Sequence, residues 1–390
     1  MFEKLKDKIF IVFGVDHYNP LGVIRTLGEN GIKPIYIVLK SRNKMAVKSK
    51  YISKLIVVEN IEEGYEYLLK NYGNEKKENR PFLITCDDKV MEFIDMHYDM
   101  LISKFYFFNA GKAGQITKYM NKKNILDIAE ENGFNVLKSY EVENGKIPEG
   151  LIYPVITKAI SPNEGAWKGD VNICYSEEEL IEAFSRIKSK KILIQPFVDK
   201  ENEYCIDGFS YNHGKNIFNA IASTYKYIIP GDYSPYMDIF ECDNDLSKKL
   251  NILLEKIGFE GIYSIEFIID KNGTFWFSEI NFRNSTWSYA ATVLQMPLPL
   301  LWALSILDGE INGNCMKSIP ENFTAMNEIQ DFIRRVVKGN TKLRVWKKDY
   351  KKCNCKFIKG VNDSRPFYAS IRNLVISQFK KIFRRSLKNE

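Results

Sequence analysis

Apolar and polar positions along the chain fall into two rhythms. KIFIVFGV (8–15) is a short β-rich run closed by Gly14. The loop DHYNPLG follows, then a helix-like GVIRTLGENG ending at Gly31, then a second strand, IKPIYIVL. Strand, helix, strand at this spacing predicts a parallel α/β unit, and RPFLITCDD (80–88) and KFYFFNAG (104–111) add further strands. Residues 1–112 therefore read as a Rossmann-like domain. An amphipathic helix is predicted over 115–132, ended by Gly133. Beyond it, strands YPVITKA (153–159), VNICY, KILIQPFV and EYCIDGFSY are interleaved with a loop, SPNEGAWKGD, and a helix, SEEELIEAFSRIKS. That order mixes hairpins with helices and predicts an α+β region on top of the first domain.

The pattern changes in WFSEINFRNS (276–285), where an apolar run gives way to Glu279, Asn281 and Arg283 at alternate positions, hence on one face. The preceding strand GIYSIEFIID is joined to it through Asn272-Gly273, a strong hairpin signal. A two-residue turn there sets Glu266 opposite Glu279 and Ser264 opposite Asn281, with Ile268 and Phe277 continuing the face. Carboxylates facing each other at ~4.5–5.5 Å repel unless one is protonated or a cation lies between them. Oxygen-only ligation by Glu266, Glu279 and Asn281 suits Mg²⁺, and softer metals want His or Cys. The opposing readings are an exposed strand pair with incidental acids, or a three-residue loop that shifts the register and separates the glutamates.

The length of 390 residues suits two or three domains of ~100–200 residues each. Charge is uneven: residues 331–390 carry 18 Lys+Arg against 4 Asp+Glu, whereas residues 1–330 carry 38 against 45. The segment 367–388 places Phe367, Ile371, Leu374, Val375, Phe379, Ile382, Phe383 and Leu387 at helical spacing, with Arg372, Lys380, Lys381, Arg384, Arg385 and Lys388 around them. Such a helix either docks on the body or lies on an anionic membrane surface; nucleic acid is not an expected partner. Seven scattered cysteines read as reduced thiols in the cytosol, and the close pair Cys353 and Cys355 falls short of a zinc site. The N-terminal apolar run reads as a strand rather than an export signal. Residues 290–307, interrupted by Pro297 and Pro299, read as a buried helix rather than a membrane span.

No GxGxxG follows the first strand and no GxxxxGK[ST] occurs anywhere, so neither dinucleotide nor P-loop binding is expected. Ligands in parallel α/β units sit at the carboxyl ends of strands. Asp16, Asn19, Asp87 and Asp88 therefore either face a substrate crevice or are ordinary polar loop residues.

Taken together these motifs resemble the ATP-grasp superfamily. The match comprises Lys122 eleven residues before Gly133, YPVITK ending in Lys158, ILIQPFVDKENEY, and the acid followed by E-x-N and a basic residue at Glu266, Glu279, Asn281 and Arg283. The resemblance implies an ATP-grasp fold, mixed α/β and α+β. It divides the chain into a Rossmann-like domain (1–112), an ATP-grasp domain of two subdomains with ATP between them (113–310) and a basic extension (311–390). It implies that Lys122 and Lys158 bind ATP phosphates, that Gln195, Pro196, Phe197 and Val198 line adenine, and that Glu203 meets the ribose. The family usually has Glu where Gln195 stands, but a Gln amide also accepts a hydrogen bond. The loop with Ser161, Gly165, Lys168 and Gly169 would cover the triphosphate.

Within the superfamily, GVDHYNPLGVIR and EINFRNS most resemble carboxylate-amine ligases of the D-aspartate ligase type. The implied activity is amide formation from a small carboxylate and an amine through an acyl phosphate, releasing ADP and phosphate. Arg283 and Lys158 would be catalytic, with ATP and Mg²⁺ required. His17, Tyr18 and Asp87 are base candidates by position alone. The alternatives are an acyl or carbamoyl phosphate-forming relative, or a non-catalytic nucleotide-binding or membrane-surface protein. If the basic helix touches the membrane, the looser resemblance and the charge of that helix together imply a lipid-linked cell-envelope precursor or a surface polysaccharide unit as the acceptor. The oligomeric state stays open.

Overall fold

The computed structural model describes residues 1–40, 44–164, 167–229, 233–360 and 362–386, with side chains excluded at 167, 168 and 377–386. Gly165, Leu387 and Lys388, and the side chains of Lys168, Phe379, Lys380, Lys381, Ile382, Phe383, Arg384 and Arg385, lie outside what is described.

Among the described residues three sheets organise the fold. The first holds β1 (Phe10–Gly14), β2 (Ile35–Leu39), β3 (Lys54–Val58), β4 (Phe82–Thr85) and β5 (Tyr106–Phe107), all parallel in the order β3-β2-β1-β4-β5. β1 and β4 are buried along their whole length, which is why they read as unbroken apolar runs. The second sheet is antiparallel, with β6 (Tyr140–Glu143), β7 (Val155–Ala159), β8 (Asn172–Cys174) and β9 (Lys191–Pro196) in the order β6-β9-β7-β8. It has its own small core around Val155, Leu180, Ile192 and Ile194.

The third sheet contains β10 (Lys200–Tyr211), β11 (Asn216–Tyr225), β12 (Tyr236–Phe240), β13 (Gly261–Asp270), β14 (Phe275–Asn281), β15 (Thr324–Met326) and β16 (Cys355–Lys356). Its order is β14-β13-β10-β11-β12-β15-β16, antiparallel except for the last pair. One continuous apolar core links this sheet to the first. Strands β15 and β16 come from beyond residue 311, so the C-terminal region completes this sheet and is more than a tail.

The expected single helix over 115–132 is two helices, Gln115–Met120 and Lys122–Glu131. Asn121 divides them because its backbone is extended (ψ 121°) and its side chain accepts from the N–H groups of Lys123 and Asn124 at 2.9 and 3.2 Å. The break frees the Lys122 N–H to donate to the Ile160 carbonyl at 2.8 Å, just past the end of β7. The apolar stretch 290–307 also divides, into Ser288–Val293 and Leu298–Asp308, with Gln295 at φ +64° between them. Leu298 to Ser305 are all buried. Among the described residues no helix is long and apolar enough to cross a membrane.

The C-terminal region is held by a buried guanidinium. Arg25, on the helix Tyr18–Glu29, donates to Asp363 Oδ2 at 3.1 Å and to the carbonyls of Phe357, Ile358 and Asp363 at 2.7, 2.8 and 2.6 Å. Gly360 allows the close passage, since a Cβ there would stand 2.8 Å from the guanidinium carbon. The final helix, Arg365–Ser386, follows directly, and Phe367 packs against the core.

Candidate active site

The β13–β14 hairpin does bring Glu266 opposite Glu279 and Ser264 opposite Asn281, but not through a two-residue turn. Asp270 pairs with Thr274 across a three-residue loop, Lys271 to Gly273, in which Gly273 takes φ +78°. Ile268 therefore faces Trp276, and Phe267 faces Phe277. A bulge then inserts Ser278 and restores the pairing of the two glutamates. The reason is Phe277. In an unbulged register it would lie on the polar face; here it is 2% exposed, 5.5 Å from the rings of both Phe134 and Phe267. Burying such a side chain is worth roughly 1.5–3 kcal/mol, more than the one ladder position a bulge gives up.

Around the glutamates the half-buried polar groups form one chain. Lys122 pairs with Glu279. The Asn281 amide donates to Glu266 Oε1 at 2.9 Å and accepts from Arg283 Nη2 at 3.1 Å. Arg283 grips Asp88 with two bonds, Nε to Oδ1 at 2.6 Å and Nη2 to Oδ2 at 2.9 Å. Burial raises the Glu266 carboxyl above the ordinary range, and the Glu279 and Glu203 carboxylates add to this. Lys122 chiefly holds Glu279 low, against its burial. Burial alone would lower the Arg283 guanidinium, but Asp88 and Asp87 more than reverse that. Beside Lys122, Glu279, Asn281 and Asp88 lies a gap of about 30 Å³, roughly one water's share of space. Among the described residues no three His, Cys, Asp or Glu side chains gather as a metal cluster. The available donors are two carboxylates and an amide.

The opposite wall comes from the second sheet. Lys158 on β7 donates to Gln195 Oε1 on β9 at 3.0 Å, and Gln195 Nε2 donates to Ser139 at 2.7 Å. Burial, then neighbouring Lys122, pushes the Lys158 ammonium down to about 8. Pro196, the last residue of β9, and Phe197 and Val198 after it are half-buried, and the Phe197 N–H donates to the Pro154 carbonyl at 2.8 Å. Glu203 on β10 pairs with Lys200 and accepts from the Tyr225 hydroxyl.

The four carboxyl-end candidates separate. Asp16 accepts from the N–H groups of Met45, Ala46 and Val47. Asp87 caps the helix Asp88–Met96. Asn19 and Asn284 bond reciprocally, with Asn19 Nδ2 to the Asn284 carbonyl and Asn284 Nδ2 to Asn19 Oδ1, each at 2.6 Å, so the first sheet's loop is tied to the residue after Arg283. Only Asp88 of the four bonds to a side chain of the glutamate cluster. The His17 ring lies 3.5 Å from that of Tyr18, tilted by 41°, and burial, then Arg283, holds its imidazole down to about 4.

Sequence reasoning missed Asp207. This fully buried carboxylate on β10 accepts from the Ser285 hydroxyl and from Ser288 Oγ at 2.9 Å, anchoring the loop after Arg283. The only signal was the spacing of Ser285 and Ser288 in NSTWS.

No protein-family model matches the chain. Among curated proteins, the 2-oxoglutarate carboxylase small subunit of Hydrogenobacter thermophilus is 24% identical over 238 residues, 57% of this chain. The chain spans 47%, about half, of that relative's length. Among solved structures, the L-amino acid ligase from Bacillus licheniformis superposes with a TM-score of 0.59 at 15% identity, covering 77% of this chain and 74% of the ligase. The biotin carboxylase domain of the Hydrogenobacter thermophilus 2-oxoglutarate carboxylase, in complex with MgADP, ADP and bicarbonate, gives 0.57 at 15%, covering 79% and 72%. The architecture is shared with these structures: the chain has the ATP-grasp fold.

Proposed function

We propose that the protein is an ATP-dependent carboxylate-amine ligase. One observation carries this reading: Lys122, Glu266, Glu279, Asn281 and Arg283 form one cluster, with Lys158 close enough to Lys122 and Glu279 to feel both charges. In this reading residues 1–112, 113–310 and 311–390 are its three parts. ATP lies between the second sheet and the β13–β14 hairpin, with Gln195 to Val198 at adenine and Glu203 at the ribose. The donor set fits a hard divalent cation, because two carboxylates and an amide oxygen are adjacent and the carboxylates repel without a positive charge. Mg²⁺ held by Glu266, Glu279 and Asn281 would supply charge neutralisation on the phosphate oxygens.

The residues of the chain then have distinct tasks. Lys122, on leaving Glu279, and Lys158, on leaving Gln195, offset phosphate charge. A substrate carboxylate oxygen bonds to the γ-phosphorus as the bond to the ADP oxygen breaks, giving an acyl phosphate. The amine nitrogen then bonds to the acyl carbon, phosphate leaves, and the nitrogen gives up a proton. Arg283, oriented by Asp88 and Asn281, stabilises the charge that develops on the transferring phosphoryl group and the tetrahedral centre. His17, Tyr18 and Asp87 remain the candidates by position to take the amine proton. ADP release against a panel of amino acids and carboxylic acids tests the reading: turnover that needs both an acid and an amine supports it. ATP binding without turnover, unaltered by Glu279→Gln, removes it.

A second reading concerns the final helix. Tyr368, Ile371, Val375 and Ile376 form an exposed apolar stripe within a strongly basic segment. This favours peripheral contact with an anionic membrane. Co-sedimentation with phosphatidylserine vesicles, with and without residues 367–390, tests it; equal binding ends the proposal.

A further inference from the structure

The helix Leu343–Lys352 has two unlike faces. Trp346, Asp349 and Tyr350 turn inward. Trp346 Nε1 donates to Asp331 Oδ2 at 2.8 Å, and its ring lies 5.0 Å from each of those of Phe332 and Tyr350. Asp349 accepts from Arg335 Nη2 at 2.6 Å. At about 100° per residue, the outer face holds Arg344, Lys347, Lys348, Lys351 and Lys352 within an arc of about 140°. All five are exposed.

Among the described residues no hydrogen bond, ion pair or aromatic ring engages any of these five cations. The one acid of the helix, Asp349, belongs to the inner face. Arg344 and Lys348, Lys347 and Lys351, and Lys348 and Lys352 are like charges four residues apart; Arg344 and Lys347, and Lys348 and Lys351, are three apart. Each such pair destabilises the helix. Arg344, in the first turn, is also set against the helix dipole. The outer face therefore costs the fold stability and returns no ion pair to it. Compensation has to come from an anion outside the chain.

Two observations select the kind of anion. The aromatic rings of this helix, Trp346 and Tyr350, lie on the docked face, so neither is free to stack a base as single-stranded nucleic-acid surfaces require. Leu343 and Val345, 45% and 46% exposed, border the cations on either side. Aliphatic side chains beside a row of Lys and Arg suit the boundary between headgroups and acyl chains. We propose that the outer face of this helix is a docking surface for an anionic phospholipid membrane. The exposed stripe of the final helix shares that partner but none of these residues, so the two contacts stand or fall separately.

Co-sedimentation of the full chain with phosphatidylcholine vesicles, with and without phosphatidylserine, tests this at about 0.05 and 0.3 M salt. Binding should need phosphatidylserine and weaken with salt. Arg344→Gln, Lys348→Gln and Lys351→Gln together should lower partitioning about a hundredfold, roughly fivefold per cation removed, with the melting temperature unchanged or raised. Removing residues 367–390 should leave a phosphatidylserine-dependent fraction that the triple substitution abolishes. A single-stranded oligonucleotide, the rival polyanion, should bind more weakly than the vesicles. The proposal is overturned if phosphatidylserine vesicles do not bind at low salt, if the triple variant binds as the wild type does, or if the oligonucleotide is held more tightly than the vesicles. Loss of binding on removal of 367–390, with the triple variant unaffected, would keep the final-helix contact and remove this one.

Discussion

Glu266 faces Glu279 across β13 and β14 because two irregularities cancel: the three-residue loop Lys271 to Gly273 shifts the register by one residue, and the bulge at Ser278 shifts it back. The arrangement holds two carboxylates together, and it makes Glu266 the strained partner. Its folded-state titration is raised above the unfolded value of ~4.3, so stability is fully present below that pH and is lost as pH rises through the raised value. Glu266→Gln should remove the loss: its melting temperature should match or exceed the wild type at pH 8 and vary less with pH. Turnover should nevertheless fall at least about a hundredfold, ~2.7 kcal/mol of barrier. Thermal melts from pH 5 to 9 beside ADP-release assays check both halves.

Lys158, pushed down to about 8, is neutral above that pH in the nucleotide-free protein. Phosphate binding favours the charged ammonium, so nucleotide affinity should be flat below pH 8. Above it, affinity should weaken by up to about tenfold per pH unit. Lys158→Met should bind more weakly throughout and lose that slope. Calorimetric titration of ADP with Mg²⁺ between pH 7 and 9.5 reads the difference.

Arg283→Ala should lower turnover roughly a hundredfold or more, as for loss of an oxyanion donor, with nucleotide affinity changed far less. Asp88→Asn keeps the shape of the Arg283 partner but loses the bidentate ion pair. It should lower turnover by a smaller factor, and a kcat loss without a KM rise for ATP would place Asp88 as a positioning residue. Equal activity of Asp88→Asn and the wild type would remove that role.

Arg25 and Asp363 are both fully buried, and replacing Arg25 by Met strands an acid and three carbonyls. The expected loss is about 3–5 kcal/mol in urea unfolding. Gly360→Ala, whose Cβ would meet the same guanidinium, should lose about 1–3 kcal/mol. An unchanged unfolding midpoint in both would mean that the C-terminal region is not held through this pair.

The parallel order of strands and helices was legible because β1 and β4 carry their burial in unbroken apolar runs. The glutamate pairing was legible because strand alternation and a turn signal are local. The loop length was not: Asn272-Gly273 suits either a two- or a three-residue loop, and the choice depended on where Phe277 could be buried, against Phe134 more than a hundred residues earlier. Lys122 was placed by resemblance, and a single helix over 115–132 gave no hint that Asn121 would break it.

By itself the sequence determined the parallel strand-helix-strand order of the first sheet, the polar face of β14 and the basic character of the C-terminal region, since these follow from side-chain period and composition. Only the tertiary structure decided that Lys122 meets Glu279, that Asp88 rather than Asp16, Asn19 or Asp87 holds Arg283, and that Arg25 captures the segment around Asp363. Those contacts join residues far apart in the chain. Their partners are selected by shared burial and charge compensation, which no local spacing encodes.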